Sequence, residues 1–325
     1  MRSKRIPNLF SLQRLRLCRK LFVHPYHVFW RTGLFTHQPF VVEFPNGQSI
    51  VLSRRERSEV LWDWLFTSGV QGWTVTAGNE YQINMGNLIA LMRLNSSDWA
   101  TLKEVFVADV YQIKSLEGPL RNVVDLGANV GYFISAMLGR AKRVVAVEAS
   151  RENFEQAVKQ VALNGGDTHD VLHRAVTGRT GDRVKIHHGD IRNTSCYSVD
   201  ESWSDHFGAG RKSFEEVSTI SLTDLLNEKQ LGSVDLLKCD VEGAEFEIFL
   251  NTPVATPKRI RRMFIEVHVS KIHPVKELEQ LISHLRTAGF HVESGDVLGQ
   301  WAEDSLFAQM LFFSRAGTAD IKAGV

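Results

Sequence analysis

The residues best suited to binding a ligand form the string DLGANVG, over residues 125–131, which follows a short apolar stretch. Gly127 and Gly131 lack a Cβ, so they permit a sharp turn and a close approach of a ligand to the backbone. Asp125 places a carboxylate beside that turn. Glu148 ends the next apolar stretch, seventeen residues after Gly131, where an acid accepts hydrogen bonds from ribose hydroxyls. The arrangement predicts a nucleoside-binding loop at the start of an α/β unit.

The charge of this loop favours S-adenosylmethionine as the cofactor. Its glycines are spaced GxxxG, whereas dinucleotide-binding loops have the spacing GxGxxG. A pyrophosphate is bound at a helix N-terminus without a nearby anion, but here Asp125 supplies an anion that suits an amino group. The residues that we expect to bind the cofactor in this region are Asp125, Gly127, Ala128, Asn129, Gly131 and Glu148.

A second group of ionisable residues ends two later apolar stretches, in the strings KCDVEGAE (238–245) and FIEVH (264–268). Side chains alternate along a strand, so Glu266 and His268 share one face, as do Lys238 and Asp240. Both strings are expected at the sheet edge that carries the nucleoside loop. Several charges at one place are costly to desolvate for structure alone, which favours catalysis or binding of a substrate.

The same group has a purely structural interpretation, in which it is a salt-linked cluster that caps a helix beginning near Gly243. In that case Glu245 serves only the dipole of the helix. Lys238 is expected to be the counter-ion of a neighbouring acid under either interpretation.

The composition limits the classes of function. Residues 1–20 contain seven basic and no acidic residues, which leaves 31 basic against 37 acidic residues in the remainder. A protein that binds nucleic acid has Lys and Arg clustered across the domain, so a nucleic-acid substrate is not expected. The basic start alternates with leucines. It predicts either an amphipathic helix on an anionic membrane surface, through residues 1–22, or a solvated helix packed on its own domain.

No apolar run has the length of a signal peptide core or of a membrane span, and Cys18, Cys196 and Cys239 lack CxxC spacing. We therefore expect no disulfide framework and no zinc site. A cytoplasmic protein, with peripheral contact to a membrane as an alternative, fits this pattern. The oligomeric state is not visible in the sequence.

From residue 119, apolar stretches alternate with amphipathic ones, which is typical of an α/β protein with a doubly wound, mostly parallel sheet. The strands are predicted at 122–127, 143–149, 171–176, 234–241 and 262–269, followed by a strand pair at 290–294 and 309–315. The helices are predicted at 131–141, 151–164, 222–230, 243–251 and 275–288.

Three regions follow from this pattern. Residues 1–118 are expected to form a mixed α+β accessory region, with a hairpin around Pro45-Asn46-Gly47 and a helix through residues 59–65. Residues 119–316 form the cofactor-binding domain, and residues 317–325 are a tail. The polar stretch 177–216, which contains Trp203 and Phe207, is predicted to be either a substrate lid or a surface insertion.

Taken together, DLGANVG, Glu148, KCDVEGAE and FIEVH resemble the FkbM family of S-adenosylmethionine-dependent methyltransferases, over about residues 98–315. The resemblance implies the class I methyltransferase fold, which is Rossmann-like. The string SSDWATLKEVFVADVY (96–111) is similar to the segment before the cofactor loop of that family, and it implies that Tyr111 helps to close the cofactor pocket. The third strand lacks the acid that many class I enzymes offer to adenine, so Ala175 is expected to contact the adenine through its backbone.

The expected reaction is methylation of a hydroxyl group on a small metabolite, sugar or glycolipid. A hydroxyl must lose its proton, which calls for a general base. Asp240 and His268 are the candidates, and Glu242 and Glu266 are expected to hold neighbouring hydroxyls. A divalent cation bound by Asp240, Glu266 and His268 is an alternative.

Two further functions fit the same residues, namely an N-methyltransferase and a scaffold that binds the nucleoside without catalysis. A nicotinamide-dependent oxidoreductase is disfavoured by the glycine spacing. The strings NPP[YF] and DPPY, which grip a nitrogen acceptor, are absent from the chain.

Overall fold

The computed structural model describes residues 12–33, 40–43, 47, 49–52, 72–76, 80–84, 87–93, 96–188, 213–270, 273–301 and 306–315. The chain divides into two compact units, Met1–Trp99 and Ala100–Val325. This boundary lies before the change of pattern at residue 119, because the segment that carries Tyr111 belongs to the second unit. The helix expected at 59–65, the pair Trp203 and Phe207, and the tail 317–325 lie outside the described residues.

The first unit begins with two helices and continues with short strands. Their bounds are α1 (Leu12–Leu21), α2 (Pro25–Gly33), β1 (Phe40–Glu43), β2 (Ser49–Leu52), β3 (Gly72–Thr76), β4 (Glu80–Asn84) and β5 (Ile89–Arg93). β1 pairs with β2 in antiparallel register, with Val42 opposite Ile50, which confirms the predicted hairpin strands. β3, β4 and β5 form an antiparallel sheet of their own. The helix α3 (Asp98–Lys103) follows and crosses the boundary between the units.

The second unit alternates strands and helices, as predicted. Its strands are β6 (Leu120–Leu126), β7 (Ala141–Glu148), β8 (Val171–His173), β9 (Ala175–Thr177), β10 (Arg183–His188), β11 (Ser213–Ser221), β12 (Val234–Cys239), β13 (Ile260–Val269), β14 (Phe290–Trp301) and β15 (Leu306–Arg315). Its α-helices are α4 (Tyr132–Met137), α5 (Arg151–Leu163), α6 (Leu222–Glu228), α7 (Glu245–Leu250) and α8 (Val275–Thr287).

Seven of these strands form the central sheet, in the order β14-β15-β13-β12-β6-β7-β8. β13, β12, β6, β7 and β8 are parallel, and β15 is antiparallel to both of its neighbours. The strand order reverses between β6 and β12. In open α/β sheets a ligand binds outside the carboxyl ends of the strands at such a reversal, and both predicted site strings lie there. The protein therefore has the doubly wound α/β architecture, with its strand order that of a class I methyltransferase.

The central sheet is stable because apolar side chains on its strands are covered by helices. Val124, Leu237 and Ile265 on three neighbouring strands are fully buried in one core, to which Phe246 and Phe249 of α7 also belong. Parallel strands that are covered in this way are expected to be apolar along most of their length. The ionisable residues at their ends are therefore exceptions that mark the functional edge.

The third predicted strand is interrupted, which corrects its expected bounds of 171–176. The backbone leaves the central sheet at Arg174, whose N–H donates to the Glu148 carbonyl at 3.1 Å. The next residues form β9, which pairs with β11 in a separate sheet. β10 and β11 also form part of this sheet, so the described ends of the stretch 177–216 are strands. Residues 189–212 lie outside the described residues.

The longest helices among the described residues, α5 and α8, have 13 residues each. None of the described helices combines the length and the hydropathy of a membrane-spanning helix.

Candidate active site

The loop after β6 turns sharply at the reversal of the strand order. The N–H groups of Gly127 and Ala128 both donate to the Val147 carbonyl at 3.0 Å, which ties the loop to the neighbouring strand. Gly127 and Gly131 have φ angles of 76° and 82°, and Asn129 has a φ angle of 50°. These left-handed conformations are accessible to glycine and, among other residues, best to Asn and Asp.

The two glycines are required by the protein itself. A Cβ on Gly127 would lie 1.7 Å from the Asp240 carbonyl oxygen, and one on Gly131 would lie 3.1 Å from the Ala157 Cα atom. The sequence suggested that these glycines leave space for a ligand. The structure shows a different reason at Gly127, because the loop after β6 and the end of β12 are in backbone contact there.

Glu148 is buried at the end of β7, with a relative exposure of 7%. Its Oε2 accepts from the Asn129 N–H at 2.7 Å, and its Oε1 accepts from the Ser150 N–H at 2.8 Å. Burial raises the pKa of Glu148 to about 7, although these two hydrogen bonds oppose the shift. Each carboxylate oxygen has a second acceptor position, so the pair remains able to accept hydrogen bonds from a diol.

Asp125 is fully buried beneath the loop, and its Oδ1 lies 3.1 Å from the Lys238 Nζ. In the described part of the chain, no donor has hydrogen-bonding geometry to either of its carboxylate oxygens. Burial raises the pKa of Asp125 to about 6 against the opposing effect of Lys238. The ionised form of a buried carboxylate with few hydrogen bonds is stabilised when a cationic donor approaches it.

Lys238 connects the loop with the second group of ionisable residues. Its Nζ donates to the Gly127 carbonyl at 2.8 Å and lies 3.7 Å from the Asp240 Oδ2. Burial opposes its charge, but Asp125 and Asp240 outweigh burial and raise the pKa of Lys238. It is therefore the counter-ion that the sequence predicted, for one carboxylate in each group.

Asp240, Glu242, Glu245 and Glu266 surround His268, and we call these five residues the acidic group. The His268 side chain is 2% exposed. Its Nδ1 is 2.9 Å from the Glu245 Oε1, and its Nε2 is 3.4 Å from the Glu242 Oε2, 3.6 Å from the Glu266 Oε1 and 4.0 Å from the Asp240 Oδ1. Burial alone would lower the pKa of His268, but Glu245 and Glu242 outweigh it and raise the pKa well above 6.5. The surrounding carboxylates therefore favour the protonated, imidazolium form of the ring.

Glu245 has a larger role than the helix-dipole role considered from the sequence. Besides its contact with His268, its Oε1 accepts from the Val241 N–H at 3.1 Å, and its Oε2 accepts from the Gly243 N–H at 3.1 Å. Burial disfavours its charge, but His268 outweighs burial and lowers the pKa of Glu245. Glu245 thus fixes both the imidazolium and the loop after β12, in which Glu242 has a φ angle of 54°.

Tyr111 contacts one side of this group, and its expected role in closing the cofactor pocket stays a prediction. Its hydroxyl donates to the Asp240 Oδ2 at 2.9 Å, and its ring lies 5.3 Å from the Lys238 Nζ. Burial, followed by the charge of Asp240, raises the pKa of Tyr111 well above 10. The phenol therefore stays protonated and acts as a donor. It contacts the acidic group at Asp240, one residue beyond β12.

Glu104 is a functional candidate that the sequence reasoning missed. It begins a π-helical turn over Glu104–Ala108, a conformation that is frequent at functional sites. Burial by the surrounding protein, followed by the charges of Glu266 and Asp240, raises the pKa of Glu104 to about 8, although its side chain keeps an exposed surface. Its place in the family-like segment 96–111 was the available signal.

The adenine contact was predicted at Ala175. Ala175 is the first residue of β9, and its side chain packs with Ile186 and Val217 in a small core. The contact stays a prediction.

Comparison with known protein families identifies the family of the chain. Residues 125–292, which are more than half of the chain, match the family described as "Methyltransferase FkbM domain". The chain belongs to the FkbM methyltransferase family. It is an S-adenosylmethionine-dependent methyltransferase, and the matched range contains the cofactor loop and the acidic group.

Individual relatives are more distant. The AMB antimetabolite synthetase AmbE of Pseudomonas aeruginosa is 26% identical over 247 residues, and the match covers 66% of this chain but 11% of that protein. The chain therefore spans a small part of the length of that synthetase.

Among solved structures, Trm5b of Pyrococcus abyssi gives a TM-score of 0.41 at 13% identity, covering 75% of this chain and 62% of the other. TYW2 of M. jannaschii, in complex with AdoMet, gives 0.38 at 13% identity, covering 74% and 89%. These scores are low, so the fold assignment depends on the strand order and the family match.

The acids at the ends of β6 and β7 suit S-adenosylmethionine. Among the described residues, the buried Asp125 carboxylate has the ion pair with Lys238 but no donor in hydrogen-bonding geometry, and it suits the amino group of S-adenosylmethionine. Glu148 is fixed by two backbone N–H groups at the end of β7 and suits the ribose hydroxyls.

Replacing Gly127→Ala tests the backbone contact between the loop and β12. We expect cofactor binding, measured by calorimetry, to fall at least about tenfold, because the Cβ must displace the Asp240 carbonyl. The control is Gly139→Ala, where φ is 82° but no atom lies within 4 Å of the added Cβ. That variant should lose about 1 kcal/mol of stability and retain binding. Equal binding by the two variants would contradict the assigned role.

The pH dependence of cofactor binding tests the two buried acids. The ionised forms accept hydrogen bonds, so affinity should rise with pH through about 6 for Asp125 and about 7 for Glu148. Both folded-state pKa values are raised, so the protein without cofactor should lose unfolding free energy over the same rise in pH. Titration calorimetry and urea denaturation across this range measure the two effects. Glu148→Gln should abolish the upper step, and an unchanged profile would refute the assignment.

Proposed function

We propose that this methyltransferase transfers a methyl group to a hydroxyl of a small metabolite, sugar or glycolipid. The observation that carries the proposal is a difference in accessibility within the acidic group. The carboxylates of Asp240, Glu242 and Glu266 are 21%, 19% and 17% exposed, whereas the His268 imidazole is 2% exposed. An incoming acceptor therefore meets three carboxylates around a buried cation.

When bound, S-adenosylmethionine supplies a methyl group that its sulfonium has already activated. The chain's own task is to orient the acceptor and to take its proton. Fixing an acceptor in reacting geometry contributes on the order of 7 kcal/mol or more. Rigid neighbours suit this task, and Tyr111 and Lys238 both hold the Asp240 carboxylate in place.

Asp240 is the general base in this proposal. Its carbonyl is in contact with the cofactor loop at Gly127, so it is the accessible acid whose backbone touches that loop. Its Oδ2 accepts from the Tyr111 hydroxyl, and its Oδ1 is 4.0 Å from the His268 Nε2. Both ring nitrogens of an imidazolium carry protons. His268 thus has no lone pair for the acceptor and holds the carboxylates in position instead.

Glu242 and Glu266 hold the hydroxyls next to the reacting one. Burial, followed by the charge of Asp240, raises the pKa of Glu266. A carboxylate accepts hydrogen bonds from hydroxyl groups, and an acid with a raised pKa more readily keeps a proton that it can donate. A polyol offers both donors and acceptors on adjacent carbons. This complementarity supports a sugar or glycolipid as the acceptor.

Asp240→Asn tests the base. We expect turnover of a hydroxyl acceptor to fall by about 100-fold to 10,000-fold, because the amide keeps the shape but cannot take a proton. Cofactor binding, measured by calorimetry, should remain. Labelled methyl transfer into fractionated extract of the source cells gives the readout. The matched control is Asp167→Asn, an acid whose side chain is 70% exposed. Turnover by Asp240→Asn at the wild-type rate would refute the proposal and favour another base or the scaffold.

A cation-dependent mechanism makes a different prediction. Asp240, Glu266 and His268 each offer a ligand atom, and these atoms lie within 4.8 Å of one another. A metal-bound histidine must be neutral, whereas the charges of Glu245 and Glu242 favour the protonated ring here. We therefore propose that the imidazolium is the resident cation of the acidic group.

Treatment with a chelator tests this choice. Activity after exhaustive treatment with EDTA should stay at the untreated level, and added Mg²⁺ or Mn²⁺ should leave it unchanged. Loss of activity that either cation restores would show that the acidic group is a metal site.

A further inference from the structure

The first 43 residues, to which the helices α1 and α2 belong, carry an unusual charge for a chain that is nearly neutral as a whole. Residues 1–43 contain eight Lys and Arg residues and a single acid, Glu43, whereas the full chain has a formal net charge of +1. On α1, the exposed side chains include Leu12, Arg16 and Arg19, which recur at the spacing of one helical face. This region therefore presents positive charge next to apolar surface.

Large apolar side chains are exposed in the same region. Five of the seven that are exposed in the described part of the chain lie between residues 12 and 41. Tyr26 and Trp30 are 56% and 52% exposed and lie one helical turn apart on α2. Val23 and Val41 are 48% and 51% exposed. Clusters of this kind mark interaction sites, whereas single exposed apolar residues are ordinary.

Several of these side chains surround one cleft. Val23, Tyr26 and Val41 line a cavity of about 810 Å³ together with His24, His27, Arg31 and Glu43. The Glu43 Oε2 lies 3.5 Å from the His24 Nε2, so the lining combines apolar walls with basic groups and one acid that is paired with a histidine. We name the set of Val23, Tyr26, Trp30, Val41 and Arg31 the aromatic-basic patch.

The aromatic-basic patch lies on a well-packed support. The region also has buried apolar side chains that do not belong to the patch, namely Cys18, Phe22, Val28 and Phe29. The Val23 N–H donates to the backbone carbonyl of the β1 residue Glu43 at 2.9 Å. The exposed residues therefore lie on the outer side of a small packed assembly.

We propose that the aromatic-basic patch binds the surface of a membrane that contains anionic lipids. Trp and Tyr side chains favour the interface between lipid and water, where an apolar ring and a polar group are both accommodated. Basic side chains are attracted to anionic headgroups, and Arg31 in the cleft suits a lipid phosphate. A second copy of the chain is a poorer occupant, because a symmetric contact would bring two basic patches together.

This inference does not depend on the proposed reaction, because the patch lies in the first compact unit. Its chemistry differs from that of the active site, in which acidic residues predominate. Membrane binding and methyl transfer can therefore fail separately in experiments.

Sedimentation with lipid vesicles tests the proposal on the full chain. The probes are vesicles of phosphatidylcholine alone and vesicles in which phosphatidylglycerol replaces part of it. We expect binding to the anionic vesicles, and weakening by salt because the charges are exposed. The pair Tyr26→Ala/Trp30→Ala and the pair Arg16→Glu/Arg19→Glu should each reduce binding about tenfold or more.

Phe214→Ala is the matched control, since Phe214 is 51% exposed but lies in the second compact unit. It should bind vesicles as the wild type does, and calorimetric cofactor binding should be normal in every variant. Binding that is absent, or equal for neutral and anionic vesicles, would overturn the proposal. So would a wild-type dimer in light scattering that Tyr26→Ala/Trp30→Ala converts to a monomer. Inorganic phosphate that abolishes vesicle binding at constant ionic strength would show that the cleft takes a free anion.

Discussion

The site depends on one backbone contact, between Gly127 in the loop after β6 and the Asp240 carbonyl at the end of β12. The Asp240 N–H also donates to the Leu126 carbonyl at 3.0 Å, so a backbone hydrogen bond joins the two chain segments next to this contact. This contact holds the nucleoside loop and the acidic group at a fixed separation. Positional precision of this kind is what an in-line transfer requires. It also explains why a residue without a Cβ is needed at position 127 even before a ligand binds.

Around this contact, the chain combines backbone strain with an unusual concentration of charge. In the described residues, non-glycine residues with positive φ include Asn129 in the cofactor loop and Glu242 after β12. Two more, Asp109 and Gln112, flank Tyr111. Such conformations persist where the surroundings fix them, and they concentrate at functional sites. The acidic group is stabilised by Lys238 and by His268, whose protonated form the neighbouring carboxylates favour, and each of the two contacts more than one carboxylate.

The sequence predicted the sheet, and the edge at which the candidate site residues lie, because both depend on local patterns. Apolar strands followed by glycines or acids are visible in a single chain, and strand ends meet at one edge for topological reasons. The contact between Glu245 and His268 joins residues 23 positions apart, and no local pattern predicts it. The pKa of Glu104 is raised first by burial and then by the charges of Glu266 and Asp240, which are far from it in the sequence, and no local pattern shows either effect. The break at Arg174 was missed because the apolar pattern continues through two strands that belong to different sheets.

Lys238 has a consequence for the order of events. Its ammonium group lies 3.1 Å from Asp125, which we expect to bind the cofactor, and 3.7 Å from Asp240, which we propose to meet the acceptor. The amino group of the cofactor would compete with Lys238 for the Asp125 carboxylate. Lys238 would then interact more strongly with Asp240. Linkage is reciprocal, so occupancy of either half of the site changes the affinity of the other. The two binding steps thus share one charge, and the enzyme with cofactor differs electrostatically from the enzyme without it before any acceptor arrives.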